Sequence, residues 1–75
     1  MITAHYINPL YQYGQHSYDL IITSDSGDQL IRLNKAFPST ADRAGYVDFA
    51  NFVIQEFLQL ESSVSDVTID TPAGA

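Results

Sequence analysis

The side chains capable of acid–base or nucleophilic chemistry are few in this sequence, and their spacing does not combine them. The two histidines are His5 and His16, and neither has a second metal-ligating residue at the helical i, i+4 spacing. His16 is followed by Ser17, but neighbouring residues of a strand point to opposite faces, so they do not form a base and a nucleophile. We expect backbone and water to satisfy both histidines. The sequence therefore predicts no catalytic residue, no metal site and no enzymatic activity.

Two short segments have the composition of ligand-binding loops but not the spacing. Residues 25–28, Asp-Ser-Gly-Asp, offer oxygen atoms as a calcium loop does, without the regular oxygen spacing or the closing bidentate glutamate. We predict a hairpin turn there instead. Gly14 and Gly27 are isolated from other glycines, so the sequence contains no glycine-rich phosphate or dinucleotide loop. No cofactor is expected.

Length and charge favour one small acidic domain that binds protein. The 75 residues allow a single hydrophobic core, and the chain has no cysteine with which to form a disulfide or a thiolate zinc site. Nine acidic residues against three basic ones leave a formal net charge of -6. Direct nucleic-acid binding is disfavoured, because neutralisation of phosphates by lysine and arginine supplies most of that affinity. A protein with a basic surface is a more suitable partner, although the charge could also serve solubility alone.

The sequence predicts a soluble, cytoplasmic protein. Residues 1–6 lack the basic and apolar regions of a secretion signal, and no apolar stretch approaches the ~20 residues that span a bilayer. The absence of cysteine also favours a reducing, intracellular compartment. No interaction with a membrane is expected.

Alternation of apolar and polar residues predicts three antiparallel strands in the first half of the chain. They cover residues 2–8, where Pro9 ends the strand, then 17–23 and 29–34, and the turn at Gly27 joins the last two. The side chains predicted to face the core are Ile2, Ala4, Tyr6, Tyr18, Leu20, Ile22, Ile31 and Leu33. Residues 8–15 are expected to form an ordered connection rich in tyrosine.

A single amphipathic helix is predicted from Ser39 to about Leu60. Ser39 is the expected N-cap, and Asp42 completes the capping box. Gly45 is the weak point of this helix and a candidate break after its first turn. The apolar face that should pack on the sheet comprises Tyr46, Val47, Phe49, Ala50, Val53, Ile54, Phe57 and Leu60.

The last alternating segment predicts a fourth strand and completes the expected fold. Residues 66–70 would lie at an edge of the sheet with Val67 and Ile69 facing inward. The predicted class is α+β, a small antiparallel sheet of three to four strands with one helix on one face and the order β-β-β-α-β. Residues 1–70 form the predicted domain, and residues 71–75 form a C-terminal tail.

The sheet face away from the helix is the first predicted binding surface. It would present Ile7, Ile21 and Leu30 inside a rim of polar residues, which is the composition of a protein interface and of a symmetric dimer interface. Ordinary scattered surface aliphatics, or cover by the tyrosine-rich connection and the tail, would explain the same residues.

Phe52 is the centre of the second predicted binding surface. A helical wheel points it away from the sheet, with Asp48 and Glu56 beside it, as an apolar anchor ringed by acids. Two alternatives are that the helix rolls, or that the connection carrying Tyr11 and Tyr13 folds over Phe52. These tyrosines are also candidate partner contacts themselves, because each offers apolar area with a polar tip.

The layout as a whole gives a family resemblance and two functional hypotheses. In size, acidity and layout, with a hairpin around Gly27, a helix from Ser39 and a short strand at Val67 and Ile69, the chain resembles small phage-encoded inhibitors of host defence, of the anti-CRISPR or anti-restriction type. That resemblance implies stoichiometric blocking of a nuclease or nucleic-acid-binding complex in the host cytoplasm, and it carries over no functional residue. The leading hypothesis is therefore an inhibitor or regulator of a nucleic-acid-handling protein. The alternative is an assembly subunit that homo-oligomerises through the uncovered sheet face.

Overall fold

The chain folds into a four-stranded sheet with one helix on one face. The structure is a computed structural model that describes residues 1–71, so residues 72–75 of the predicted tail lie outside the described residues. The elements are β1 (Thr3–Gln12), β2 (Gln15–Thr23), β3 (Gln29–Pro38), α1 (Arg43–Phe52), a π-helical turn (Val53–Phe57) and β4 (Thr68–Ile69). The sheet order is β3-β2-β1-β4. The predicted α+β class and element order are confirmed.

The sheet is mixed, so the prediction of a purely antiparallel sheet is wrong. β1 pairs antiparallel with β2, and β2 with β3, whereas β4 runs parallel to β1 with His5 opposite Thr68. A parallel neighbour needs a long crossover connection, which the helix and the segment after it supply. β4 lies at the sheet edge as predicted but is shorter than predicted. The amide of Asp70 extends its pairing by donating to the carbonyl of Tyr6 at 3.0 Å.

β1 passes through Pro9 instead of ending there, which corrects the predicted boundary. Asn8 adopts a positive φ of 53°, and the pairing with β2 shifts register between Ile7 and Leu10. Proline has no N–H to donate to a ladder, and a bulge is a place where a strand tolerates one. The hairpin of β1 and β2 therefore extends well beyond the predicted end of the strand.

β3 also runs further than predicted, to Pro38. The last residues of β3 pair with the first residues of β2, so that Phe37 lies opposite His16. Phe37 is buried because its ring packs against Tyr46 and Phe49 of the helix, with centroids 4.1 and 5.9 Å apart. The aromatic contact with α1 thus keeps this end of the strand in the sheet.

The hydrophobic core lies between α1 and the inner face of the sheet. The predicted sheet residues Ile31 and Leu33 are partly buried against it. The buried members are Ile2, Ala4, Tyr6, Tyr18, Leu20, Ile22, Phe37, Tyr46, Ala50, Val53, Ile54, Val64 and Val67. The period-2 pattern of β1 and β2 therefore predicted the inner face correctly.

The helix begins at Arg43, with Asp42 as its N-cap in place of the predicted Ser39. The Asp42 Oδ1 atom accepts a hydrogen bond from the amide of Gly45 at 3.1 Å. The amide of Ser39 instead donates to the carbonyl of Gly14 at 3.1 Å, which ties this connection to the β1–β2 turn. Asp and Ser are comparable as N-caps. The hydrogen bond that holds Ser39 to Gly14 therefore determines that the helix begins after Asp42. α1 runs through Gly45 without a break.

A π-helical turn changes the phase of the helix after Phe52. The amide of Leu58 donates to the carbonyl of Val53 at 3.0 Å, an i→i+5 bond that adds one residue to the turn. Leu58 consequently packs against the core, while Phe57 is 67% exposed and Leu60 is exposed as well. The assignment of Phe57 and Leu60 to the core is wrong because it assumed an unbroken α-helical period. Gln59, at a φ of 55°, ends the helix.

Candidate protein-binding surfaces

The outward side of the helix carries an exposed aromatic pair. Phe52 is 53% exposed, and its ring stacks on that of Phe49 with a centroid distance of 6.2 Å and an interplanar angle of 25°. Phe49 contacts Phe37 of the core edge-on. Phe52 is therefore joined to the core through Phe49, yet about half of its side chain faces water. Its outward direction agrees with the sequence prediction.

Two carboxylates flank this aromatic pair. Asp48 lies one helical turn before Phe52, on the same side of the helix, and Glu56 follows four residues after it within the π-helical turn. Both acids are exposed. Among the described residues, neither lies within salt-bridge distance of a basic group. Asp48, Phe49, Phe52 and Glu56 are called the Phe52 surface from here on.

The three basic side chains of the protein have other contacts than these two carboxylates. Arg32 binds an acid on the outer side of the sheet at 2.9 Å, and Arg43 binds an acid of the last segment at 2.8 Å. The Lys35 Nζ atom lies 5.1 Å from the centroid of Phe49, on the side where β3 passes, in a cation–π contact. The carboxylates of the Phe52 surface are therefore left without a partner of opposite charge within residues 1–71.

The acids of the helix and of the last segment meet in a shallow groove. Asp48 and Asp66 both line it, together with Val47, Ser65 and Arg43. The backbone amide of Val67 and the Arg43 guanidinium hold the pKa of Asp66 below its usual value, so this carboxylate is ionised at neutral pH. Arg43 lines the same groove and pairs with Asp66 at 2.8 Å, so the groove holds two carboxylates and one cation.

The outer face of the sheet presents aliphatic side chains on neighbouring strands. Ile21 lies opposite His5 on one side and Arg32 on the other, and Ile7 lies opposite Asp19. Ile7 and Ile21 are half-buried, and Leu30, next to an irregularity in the β2–β3 register, is 40% exposed. Within residues 1–71, no helix or strand covers this face. These residues are called the outer sheet face.

The acids of the outer sheet face have hydrogen-bond partners. Asp19 accepts hydrogen bonds from Asn8 at 3.1 Å, from Arg32 at 2.9 Å and from Asn34 at 3.2 Å. These contacts, the Asn8 bond first, hold the pKa of Asp19 below its usual value. His5 Nε2 lies 2.8 Å from the carboxylate of Asp70. The face therefore combines an aliphatic centre with acids that have neighbouring donors.

Tyr11 and Tyr13 lie at the far end of the β1–β2 hairpin, not over the helix. The predicted connection of residues 8–15 is the distal half of this hairpin, closed by a two-residue turn in which Tyr13 and Gly14 have φ values of 54° and 73°. Tyr11 is exposed and contacts His16 edge-on at 4.8 Å, and Tyr13 is 92% exposed. Among the described residues, neither tyrosine makes an aromatic contact with Phe52.

Tyr13 occupies a turn position that favours asparagine or glycine. Positive φ at both central residues defines a type I′ turn, and a non-glycine residue in the left-handed region costs about 1–2 kcal/mol. We expect Tyr13→Asn to raise the free energy of unfolding by about 1 kcal/mol, measured by urea denaturation. Tyr11→Asn makes the same chemical change on a strand residue and should give no gain. Equal effects of the two variants would contradict the strain at Tyr13.

Some of this arrangement carries a sequence signal and some does not. The i, i+3 spacing of Phe49 and Phe52 indicates that the two rings are neighbours on a helix. The exposure of Phe57 and the engagement of Lys35 with Phe49 have no such signal, because they depend on the π-helical turn and on the position of β3. In the structure Asp48, Phe52 and Glu56 follow one another at four-residue intervals along the helix, Ile21 lies on the outer face of the sheet, Leu30 lies at the irregularity beside it, and the two tyrosines lie at the far end of the β1–β2 hairpin.

Within residues 1–71, no group of three or more histidine or acidic side chains lies close enough together to hold a metal ion. No helix of these residues has the length and apolarity needed to cross a bilayer. Comparisons with known protein families, with curated proteins and with solved structures find no match to this chain. A function is therefore inferred from the geometry of the two surfaces.

Proposed function

We propose that this protein is an acidic protein-binding module that inhibits or regulates a nucleic-acid-handling protein in a stoichiometric complex, as an anti-CRISPR or anti-restriction protein does. The observation that carries the proposal is the half-exposed Phe52, held on Phe49 between two carboxylates that have no cationic partner among the described residues. The partner is a protein with a basic groove. It binds without nucleic acid, metal or cofactor in the contact.

Phe52 supplies the apolar anchor of the complex. An aromatic side chain buries about 150–250 Å² in full, so its exposed half offers on the order of 100 Å² for a partner to cover. At ~25 cal/mol per Å² this is about 2–3 kcal/mol, the range of an interface hot spot. Because Phe49 already holds the ring, little side-chain entropy is lost on binding.

The carboxylates supply selection for a basic groove. Asp48 and Glu56 present oxygen acceptors to lysine and arginine, which is the role that phosphate oxygens have when such a groove binds nucleic acid. The net charge of -6 attracts a basic partner at long range and speeds its association. The module therefore competes with nucleic acid for the same surface.

Affinity capture from lysate of the source or host cells tests this function. The wild-type protein should retain a nucleic-acid-binding protein, and a duplex DNA or RNA oligonucleotide should displace that protein from it. Phe52→Asp should weaken retention at least tenfold, and Asp48→Asn with Glu56→Gln should lower both the affinity and its salt dependence. Leu30→Asp, on the opposite side of the molecule, is the matched control and should retain the partner.

Two results would overturn the proposal. One is retention that is equal for the wild type, for Phe52→Asp and for the neutralised variant. The other is a partner whose binding neither nucleic acid nor high salt affects, since both must act if carboxylates occupy a phosphate-binding groove.

A further inference from the structure

We propose that the outer sheet face binds a second copy of this chain, so that two sheets pack face to face in a symmetric dimer. This face has Ile7, Ile21 and Leu30 at its centre, and no helix or strand of residues 1–71 covers it. A second sheet packed on this face would bury its aliphatic side chains as a third layer. The inference is independent of the Phe52 surface.

The charge distribution selects a second copy over a basic partner. Two molecules that each carry a net charge of -6 repel each other, so they can approach only through a face whose charge is balanced. On the outer sheet face Arg32 neutralises Asp19, and the carboxylate of Asp70 has the His5 ring as a hydrogen-bond partner at 2.8 Å. The unpaired acids Asp48 and Glu56 lie across the molecule on the helix. The outer sheet face therefore repels a second copy less than the helix side does.

The face is also self-complementary. In a two-fold dimer the same patch contacts itself, so residues near the axis meet their own counterparts. Ile21 stands in the row His5–Ile21–Arg32, between the neighbouring strands. With the axis close to Ile21, the aliphatic residues of the two copies come together. Arg32 and Asp19, which lie in adjacent cross-strand rows, can then exchange partners across the axis.

The size of the face sets the strength of the dimer. The two longest dimensions of the molecule are 34 and 19 Å, so this face offers at most roughly 600 Å² of projected area per copy. A standard stable interface buries about 800 Å² per partner. We therefore expect a reversible dimer with a dissociation constant in the micromolar range, about 1–100 μM.

Sedimentation equilibrium over a range of protein concentrations tests the dimer. The average mass of the wild type should rise from the monomer value of 8.3 kDa toward twice that value. Ile21→Asp and Leu30→Asp should each weaken association at least tenfold. Because Leu30 is more exposed than Ile21, Leu30→Asp tests the dimer even if Ile21→Asp impairs folding. Phe52→Asp adds the same charge on the helix side and should dimerise like the wild type.

A charge variant tests the electrostatic part of the inference. Arg32→Gln leaves Asp19 uncompensated on both copies and should weaken the dimer about tenfold at low salt. Adding Asp19→Asn removes that charge again and should restore association.

A wild type that stays monomeric at millimolar concentration overturns the proposal. So does a dimer that survives both Ile21→Asp and Leu30→Asp, which would indicate pairing through the free edge of β3 or through the helix. Loss of partner capture in Phe52→Asp bears only on the function proposed above.

Discussion

Tyr6→Ala should lower the free energy of unfolding by about 3–5 kcal/mol, enough to unfold much of a small domain whose total stability is near 5 kcal/mol. Tyr6 is fully buried, and its ring packs edge-on against Tyr18, Phe37 and Tyr46 with centroid distances between 5.1 and 5.8 Å. Removal of the ring leaves a cavity at the point where the sheet and the helix meet. Urea denaturation followed by circular dichroism measures the loss.

Tyr6→Phe separates the ring from the hydroxyl. The Tyr6 hydroxyl donates to the backbone carbonyl of Tyr46 at 2.6 Å, so this variant keeps the packing and removes one buried hydrogen bond. We expect a loss of about 1–2 kcal/mol. A loss in Tyr6→Ala no larger than that in Tyr6→Phe would show that the aromatic packing contributes little.

Tyr6 also makes the free energy of unfolding depend on pH in the alkaline range. Burial raises the pKa of Tyr6 far above the usual value of 10, and burial together with the adjacent Tyr18 raises the pKa of Tyr46 to about 12. Because each folded pKa exceeds the unfolded one, the unfolded chain loses these protons first. The stabilisation is therefore complete below pH 10 and decreases as the pH rises above it. In Tyr6→Phe the decrease between pH 10 and pH 12 should be smaller than in the wild type.

Asn51→Ala should release the segment that precedes β4. The Asn51 side chain donates to the carbonyl of Val64 at 3.0 Å and accepts from the amide of Val64 at 2.7 Å, so it satisfies both backbone groups of a buried residue. Each of these partly buried groups costs about 1–3 kcal/mol when left unpaired, which gives an expected loss of roughly 2–4 kcal/mol. Amide hydrogen exchange should accelerate at Val64.

Gln55 provides the matched control for Asn51. It lies one turn later on the helix and donates to the carbonyl of Ser62 at 3.3 Å, but this bond is exposed to solvent. Gln55→Ala should therefore change the free energy of unfolding by less than about 0.5 kcal/mol. If Asn51→Ala were as mild as Gln55→Ala, or left exchange at Val64 unchanged, Asn51 would not hold this segment.

Local patterns predicted the elements whose environment is uniform along their length. β2 alternates without interruption, with Tyr18, Leu20 and Ile22 inward, because one side of it faces the helix throughout. The parallel pairing of β4 could not be predicted in this way. It depends on contacts between distant residues, such as Asn51 with Val64, and a polar residue on a helix gives no sign of which backbone it will bind.

In the candidate surfaces, too, local sequence patterns predicted some features, while others depend on tertiary contacts. The exposure of Phe52 followed from its position on the α-helical wheel, because Phe52 precedes the π-helical turn. Phe57 follows the insertion, so the same wheel placed it in the core although it is exposed. Whether Asp48 and Glu56 keep their charge unpaired depends on where Arg32, Lys35 and Arg43 lie in the fold, and the order of residues in the chain does not contain that information.

The pairing of β4 with β1 has a consequence for how the chain matures during synthesis. Strands β1, β2 and β3 are consecutive and can pair as soon as they have left the ribosome, because hairpins close short loops quickly. The edge of β1 around His5 and Tyr6 waits for Thr68 and Ile69, which are translated after the other strands and the helix. Until then the nascent sheet presents an open β1 edge to other strands. Synthesis of β4 therefore determines when this edge of the nascent sheet becomes protected against misassembly.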